Sequence, residues 1–344
     1  MTSMPDYVEF DPDGDVVLLL RNRDSNKGQD KDNTDSEGTS GAEVPADVDG
    51  DAQPDGIQMR VSSSHLALAS SIFKRLLKGG FAESLSLNST GTAEVRLPED
   101  NPQALQILLN IIHGHVKKVP RAMGIGMLTH IAILIDKYCL HEVTEIFTDM
   151  WFKKLKGDIP GSFAKDLMSW LCVTWVLRKS KAFKDTTKIA MRESEGHLEG
   201  TTERDLPIPA SILDSLEKAR QGALSECCDT IRTIQVAYVQ PEMQCTYPNC
   251  DAMALGGLIK ALTSQGLQPL PRPPFTGLSF KWLASNFKKM SLPTLCGVNG
   301  HFRTHYYTED FENSHSHAEC GIKRTIIDRL SLIEQGLQGL ELEG

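Results

Sequence analysis

The sequence predicts an α+β fold, with a small sheet and a helical cluster over residues 1–156 and a mainly α-helical region over 162–344. Short apolar runs bounded by turns lie in "DVVLLL", "GIQMRVSS" and "AEVRLPED". Elsewhere apolar side chains recur at helical spacing. Between the two regions, "LKGDIPGSF" interrupts the helices at Gly157, Pro160 and Gly161, which marks a boundary.

"DVVLLL" at 15–20 follows the turn "DPDG" and reads as the first strand. Residues 24–55 then carry ten acids against two lysines, with no aromatic. Such a segment cannot bury enough surface to offset its ordering entropy, so a disordered acidic insertion is expected. Its "DVDGDAQPDG" has oxygen ligands but lacks the final Glu and the flanking helices of a calcium loop. It reads as solvated.

"GIQMRVSS" is the second strand, and Ser62, Ser63 or Ser64 is expected to cap the helix after it. Leu66, Ala69, Ser70, Phe73 and Leu77 recur at spacings of three and four, which predicts one helix with one buried face. His65, Leu68, Ile72 and Arg75 fall on the opposite face. Two aliphatics there call for a cover, either a partner or another element of the same domain.

"AEVRLPED" is a third strand, and "NPQALQILLNIIHG" a helix opened by Asn101 with Pro102 at its first position. Two more helices follow, with apolar stripes at Leu128, Ile131, Ile135 and Tyr138, and at Val143, Ile146, Phe147 and Met150. Cys139 and Cys172 sit in apolar helical patterns and read as small core residues.

These residues resemble the BTB/POZ domain over about residues 8–156. The resemblance rests on Leu66, Ser70 and Phe73 with "GGFAES" behind them, and on "PQALQILLNIIHG" ahead of the tyrosine-bearing helix. The overall pattern is similar to the large filamentous-fungal BTB group. Ser62 stands where many animal members carry a His, and His65 lies three residues later. The resemblance implies a non-enzymatic protein–protein interaction module. Such a module pairs with a second copy as a homodimer or acts as an adaptor, in many relatives on a cullin-type ubiquitin-ligase scaffold. His65, Leu68, Ile72 and Arg75 are then the expected partner interface.

Beyond the boundary lie helices in "AKDLMSWLCVTWVLRKS" and "KAFKDTTKIAMRES", and one of about 27 residues beginning near "IPASIL". Ile212, Leu216, Ala219, Ala223, Cys227, Ile231 and Ile234 form its seam, with small residues suited to packing on neighbouring helices. "LQPLPRPPF" at 267–275 reads as a connector between helices.

Cysteine and histidine spacing is the one chemical signal in this half. Cys245 and Cys250, Cys296 and His301, and His317 and Cys320 form three close pairs, from which four ligands could close a tetrahedral structural zinc site. Surface histidines and half-buried thiols are the plain alternative. None of the G-x-S-x-G, P-loop, H-E-x-x-H or G-x-G-x-x-G patterns occurs, so no catalytic site is expected; Cys320 with His317 would be the first suspects.

Formal charge is −9 and pI about 5.6, which disfavours nucleic acid as the main ligand. A zinc-stabilised nuclear regulator binding nucleic acid or chromatin proteins stays as the alternative, through Lys281, Lys288 and Lys289. The two most apolar runs, "MLTHIAILI" and "LMSWLCVTWVL", are too short to span a bilayer, and no signal peptide is expected. An intracellular protein of cytoplasm or nucleus follows.

Overall fold

The computed structural model describes residues 6–21, 56–198, 206–242, 244, 248–290, 292 and 322–342. The fold is mixed α+β, with one four-stranded sheet and twelve α-helices among the described residues. The chain divides into two compact units, Met1–Gly157 and Asp158–Gly344. The acidic insertion at 24–55 lies outside the described residues.

In the first unit the strands are β1 (Tyr7–Glu9), β2 (Val16–Arg21), β3 (Gly56–Val61) and β4 (Ala93–Arg96), in spatial order β1-β3-β2-β4. β2 runs antiparallel to β3 and parallel to β4, and β1 lies parallel to β3. The register sets Val16 opposite Val61, Leu18 opposite Met59 and Leu20 opposite Ile57, and all six side chains are buried. The apolar run "VVLLL" therefore works as a one-sided strand, with every second side chain inward. β1, three residues long, has too little sequence to show a period and is absent from the sequence reading.

Helices α1 (Ser63–Ala69), α2 (Ser71–Lys78), α3 (Ala82–Thr90), α4 (Pro102–Ile112), α5 (Ile125–Tyr138) and α6 (His141–Leu155) complete the unit. Asn101 caps α4 by accepting from the Ala104 amide at 3.0 Å, with Pro102 at the first position. The predicted stripe of α5 is buried at Leu128, Ile131, Ile135 and Tyr138.

The stripe predicted for α6 is one residue out of phase. Ile146 is 82% exposed, whereas Thr144, Thr148 and Trp151 face inward. Thr144 and Thr148 give their hydroxyl hydrogens to the carbonyls of Leu140 and Glu145, so their polarity is met inside the helix. Trp151 anchors the face by donating its indole N–H to the Pro120 carbonyl at 2.7 Å. Cys139 is likewise no core residue. It is exposed at the end of α5 with φ 53°, while Cys172 is fully buried.

The second unit is helical among the described residues. It holds α7 (Leu167–Val176), α8 (Ser180–Glu193), α9 (Ala210–Val239), α10 (Pro248–Ser264), α11 (Phe280–Lys289) and α12 (Ile322–Gly336). α9 runs for 30 residues, and Leu216, Ala223, Cys227, Ile231 and Ile234 of its seam are buried; Ile212 and Ala219 pack against the same core half-exposed. α12 adds Ile322, Ile326, Leu330 and Ile333.

Candidate interaction face on the first helical pair

The face predicted to lie outward belongs to two short helices. Ser70 has extended backbone angles (φ −136°, ψ 123°), ends α1 and caps α2. Its hydroxyl donates to the Tyr138 carbonyl at 2.6 Å and accepts from the Phe73 amide at 3.1 Å. One side chain thus breaks the helix, starts the next and ties both to α5. A serine within a periodic run is an N-cap residue as readily as a helical one, which is the signal that was missed.

Below this break the contacts are dense. Leu66, Phe73 and Leu77 are fully buried, and the Phe73 ring stacks on Tyr138 at 4.5 Å. The Tyr138 hydroxyl bonds the carboxylate of buried Asp100, which also takes Lys137 Nζ at 2.6 Å. Burial, followed by the neighbouring Asp100, pushes the Tyr138 phenol well above its ordinary pKa.

The cap of α1 also differs from expectation. Ser62 occupies the cap position without a side-chain bond, and Asp15 serves instead, accepting from the Ser63 amide at 2.7 Å and the Ser63 hydroxyl at 2.6 Å. The Ser62 amide donates to His113 Nε2 at 3.1 Å.

Above the break, Leu68 on α1 is 88% exposed, His65 and Arg75 are exposed, and Ile72 on α2 is half-buried. His65 lies over the His113 ring, with centroids 5.1 Å apart. Phe81 and Leu85, at the start of α3 and one turn into it, are exposed as well, and α3 packs on α2.

Of the six candidate zinc ligands, Cys245, Cys296, His301, His317 and Cys320 lie outside the described residues. Cys250 is buried on α10. Among the described residues no group of three or more His, Cys, Asp or Glu could hold a metal ion. On α11, Lys281 pairs with Glu193 at 2.9 Å and Lys288 with Glu334 at 3.9 Å, while Lys289 is exposed. No helix among the described residues is long and apolar enough to cross a membrane. Neither the protein-family models nor the curated proteins contain a match to this chain.

Proposed function

We propose that the chain is a non-enzymatic interaction module of the BTB/POZ kind, working inside the cell in cytoplasm or nucleus, and that the outward side of α1 and α2 takes a protein partner. The observation that carries this is Leu68, an aliphatic side chain at 88% exposure on a helix whose other side is fully buried. Burying such a side chain at an interface contributes about 1.5–3 kcal/mol. Half-buried Ile72 widens the apolar centre, and His65 and Arg75 supply a polar rim. A second copy is the first partner to test, because a two-fold axis lets one patch serve both chains. A cullin-type scaffold, with the chain as substrate adaptor, is the second.

The alternative, a zinc-stabilised regulator on nucleic acid or chromatin, has less in its favour. Glu193 and Glu334 already engage two of the three lysines it would use. Salt-sensitive retention on DNA would bring it forward.

The test is the solution mass of the full chain, wild type against Leu68→Asp with Ile72→Asp. A wild-type dimer that becomes a folded monomer supports self-association through this face. Two monomers of equal stability remove self-association and leave the scaffold as the partner to assay. Two dimers of equal strength refute the face.

A further inference from the structure

Three imidazoles and one phenyl ring gather at the entry to α1. His113, just past the end of α4, lies 5.1 Å from His65 of α1, 6.5 Å from His115 and 5.7 Å from Phe10, centroid to centroid. Its two nitrogens have opposite duties. Nδ1 lies 2.9 Å from the Leu109 carbonyl, which can only accept, so Nδ1 carries a hydrogen. Nε2 lies 3.1 Å from the Ser62 amide, which can only donate, so Nε2 is bare.

That arrangement needs a neutral ring. A proton on Nε2 would set one donor against another and remove the bond that holds Ser62, the residue at which β3 turns into α1. The charged groups around it do not favour a cation. His65 faces the ring from α1 and His115 from the turn beyond α4, and His115 Nδ1 is buried without a hydrogen-bond partner. Asp11, from the turn between β1 and β2, is the one opposing carboxylate among the described residues that acts on it, since Asp15 of the same turn is taken by Ser63. Burial first, then His65 and His115, holds the His113 pKa below its ordinary 6.5, against the Leu109 bond and Asp11.

We propose that this imidazole cluster is an acid-sensitive latch on α1, in which protonation of His113 releases the Ser62 amide and loosens the first turn of the helix. A histidine whose folded pKa is depressed is neutral in both states above its unfolded value, where it carries no penalty. As pH falls below 6.5 the open state takes up the proton first, and the latch weakens until the folded pKa is also passed. The latch itself does not depend on the function proposed above. Its consequence does, because α1 carries His65 and Leu68, and acidification would disorder the face that pairs.

The test combines a ring titration of the histidines with hydrogen exchange of the Ser62 and Ser63 amides, on the full chain between pH 7.5 and 5, a window chosen around the ordinary imidazole value. Expected in wild type are a His113 midpoint below that of free imidazole and an Nδ1–H tautomer. Exchange, corrected for its intrinsic pH dependence, should rise by up to about tenfold per pH unit within the window. His113→Gln should abolish the rise, and His65→Gln should move the His113 midpoint upward. A wild-type amide whose protection does not change with pH overturns the latch. So does an equal rise in His113→Gln, or an unmoved midpoint in His65→Gln should the first variant not fold. Repeating the titration in the Leu68→Asp, Ile72→Asp chain separates the two ideas. A latch that still opens there stands whatever the pairing result, while self-association is refuted separately, by a wild type that is already monomeric.

Discussion

Arg220 of α9 donates to the main-chain carbonyl of Leu278, 58 residues further along, at 2.9 Å. The guanidinium is fully buried, and each of its N–H groups has an acceptor. Nε and Nη2 take both oxygens of Glu217, at 2.8 and 2.7 Å, while Nη2 and Nη1 also reach the carbonyls of Pro274 and Phe275. The proline-rich stretch at 267–275 is therefore held to α9 by its backbone, and Phe275 is buried.

Arg220→Ala should unfold the second unit more readily, by about 3–5 kcal/mol, because it leaves buried carbonyls and a carboxylate without donors. Arg220→Lys should recover little, since an ammonium cannot serve a carboxylate and three carbonyls in this spread. Denaturant melts of the full chain check both.

The hydrogen bond from Arg220, outweighing burial, holds the Glu217 carboxyl below its usual range. A carboxylate with a depressed folded pKa lends stability above its unfolded value, ordinarily 4.5, and loses it as pH falls through the folded one. Glu217→Gln should flatten that part of the acid dependence and leave the neutral region less stable. Melts between pH 3 and 7 read it, and an unchanged acid limb refutes the pairing.

The Ser70, Phe73, Tyr138 and Asp100 series predicts a pair of losses in the first unit. Ser70→Ala removes an N-cap and the bond to Tyr138 together, for about 1–2 kcal/mol. Tyr138→Phe leaves Asp100 with Lys137 alone, for about 1–3 kcal/mol. A phenol whose folded pKa is raised stabilises below its unfolded value of 10.0, and that contribution declines as pH rises past it. In ultraviolet titration one tyrosine should resist ionisation until the unit unfolds, and Tyr138→Phe should remove that late step.

Gly339 follows α12 at φ +82°, where a Cβ would collide with the Lys184 carbonyl oxygen. Its neighbours dock on α8, with the Leu340 amide on the Thr187 hydroxyl at 2.9 Å and Glu341 paired with Lys184. Gly339→Ala should detach residues 338–342 from α8 while the helices stay folded. Loss of exchange protection at the Leu340 amide, without global unfolding, is the expected readout; retained protection refutes it.

What could be read in the chain divides by range. The α9 seam, the Asn101–Pro102 start of α4 and the strands β2 to β4 follow from neighbours a few residues apart, and the structure has them. α3, with "AESLSLNST", has no strong apolar side and was invisible to periodicity. The break at Ser70 depends on the Tyr138 carbonyl 68 residues away. The inward face of α6 depends on threonines that satisfy themselves and on a tryptophan reaching Pro120. Arg220 was unremarkable in sequence because all its neutral acceptors are main-chain carbonyls far along the chain. Of the outward face, the exposure of His65, Leu68 and Arg75 was legible, but the half-burial of Ile72 and the division between two helices were not.

Arg21 and Gly56 stand directly opposite each other at the end of the β2–β3 ladder. That pairing brings the two ends of the 22–55 segment to one rung, so β2 and β3 pair as a hairpin whatever lies between them. Closure entropy rises only about 0.6 kcal/mol for each doubling of a flexible loop, which makes the sheet nearly indifferent to how much chain is spliced in here. The position is a natural insertion port. Replacing residues 22–55 with Asn-Gly, the two-residue turn that suits directly opposed strand ends, should give a shorter protein with the same β2–β3 register and no loss of melting temperature. A foreign domain placed there should fold without disturbing its host.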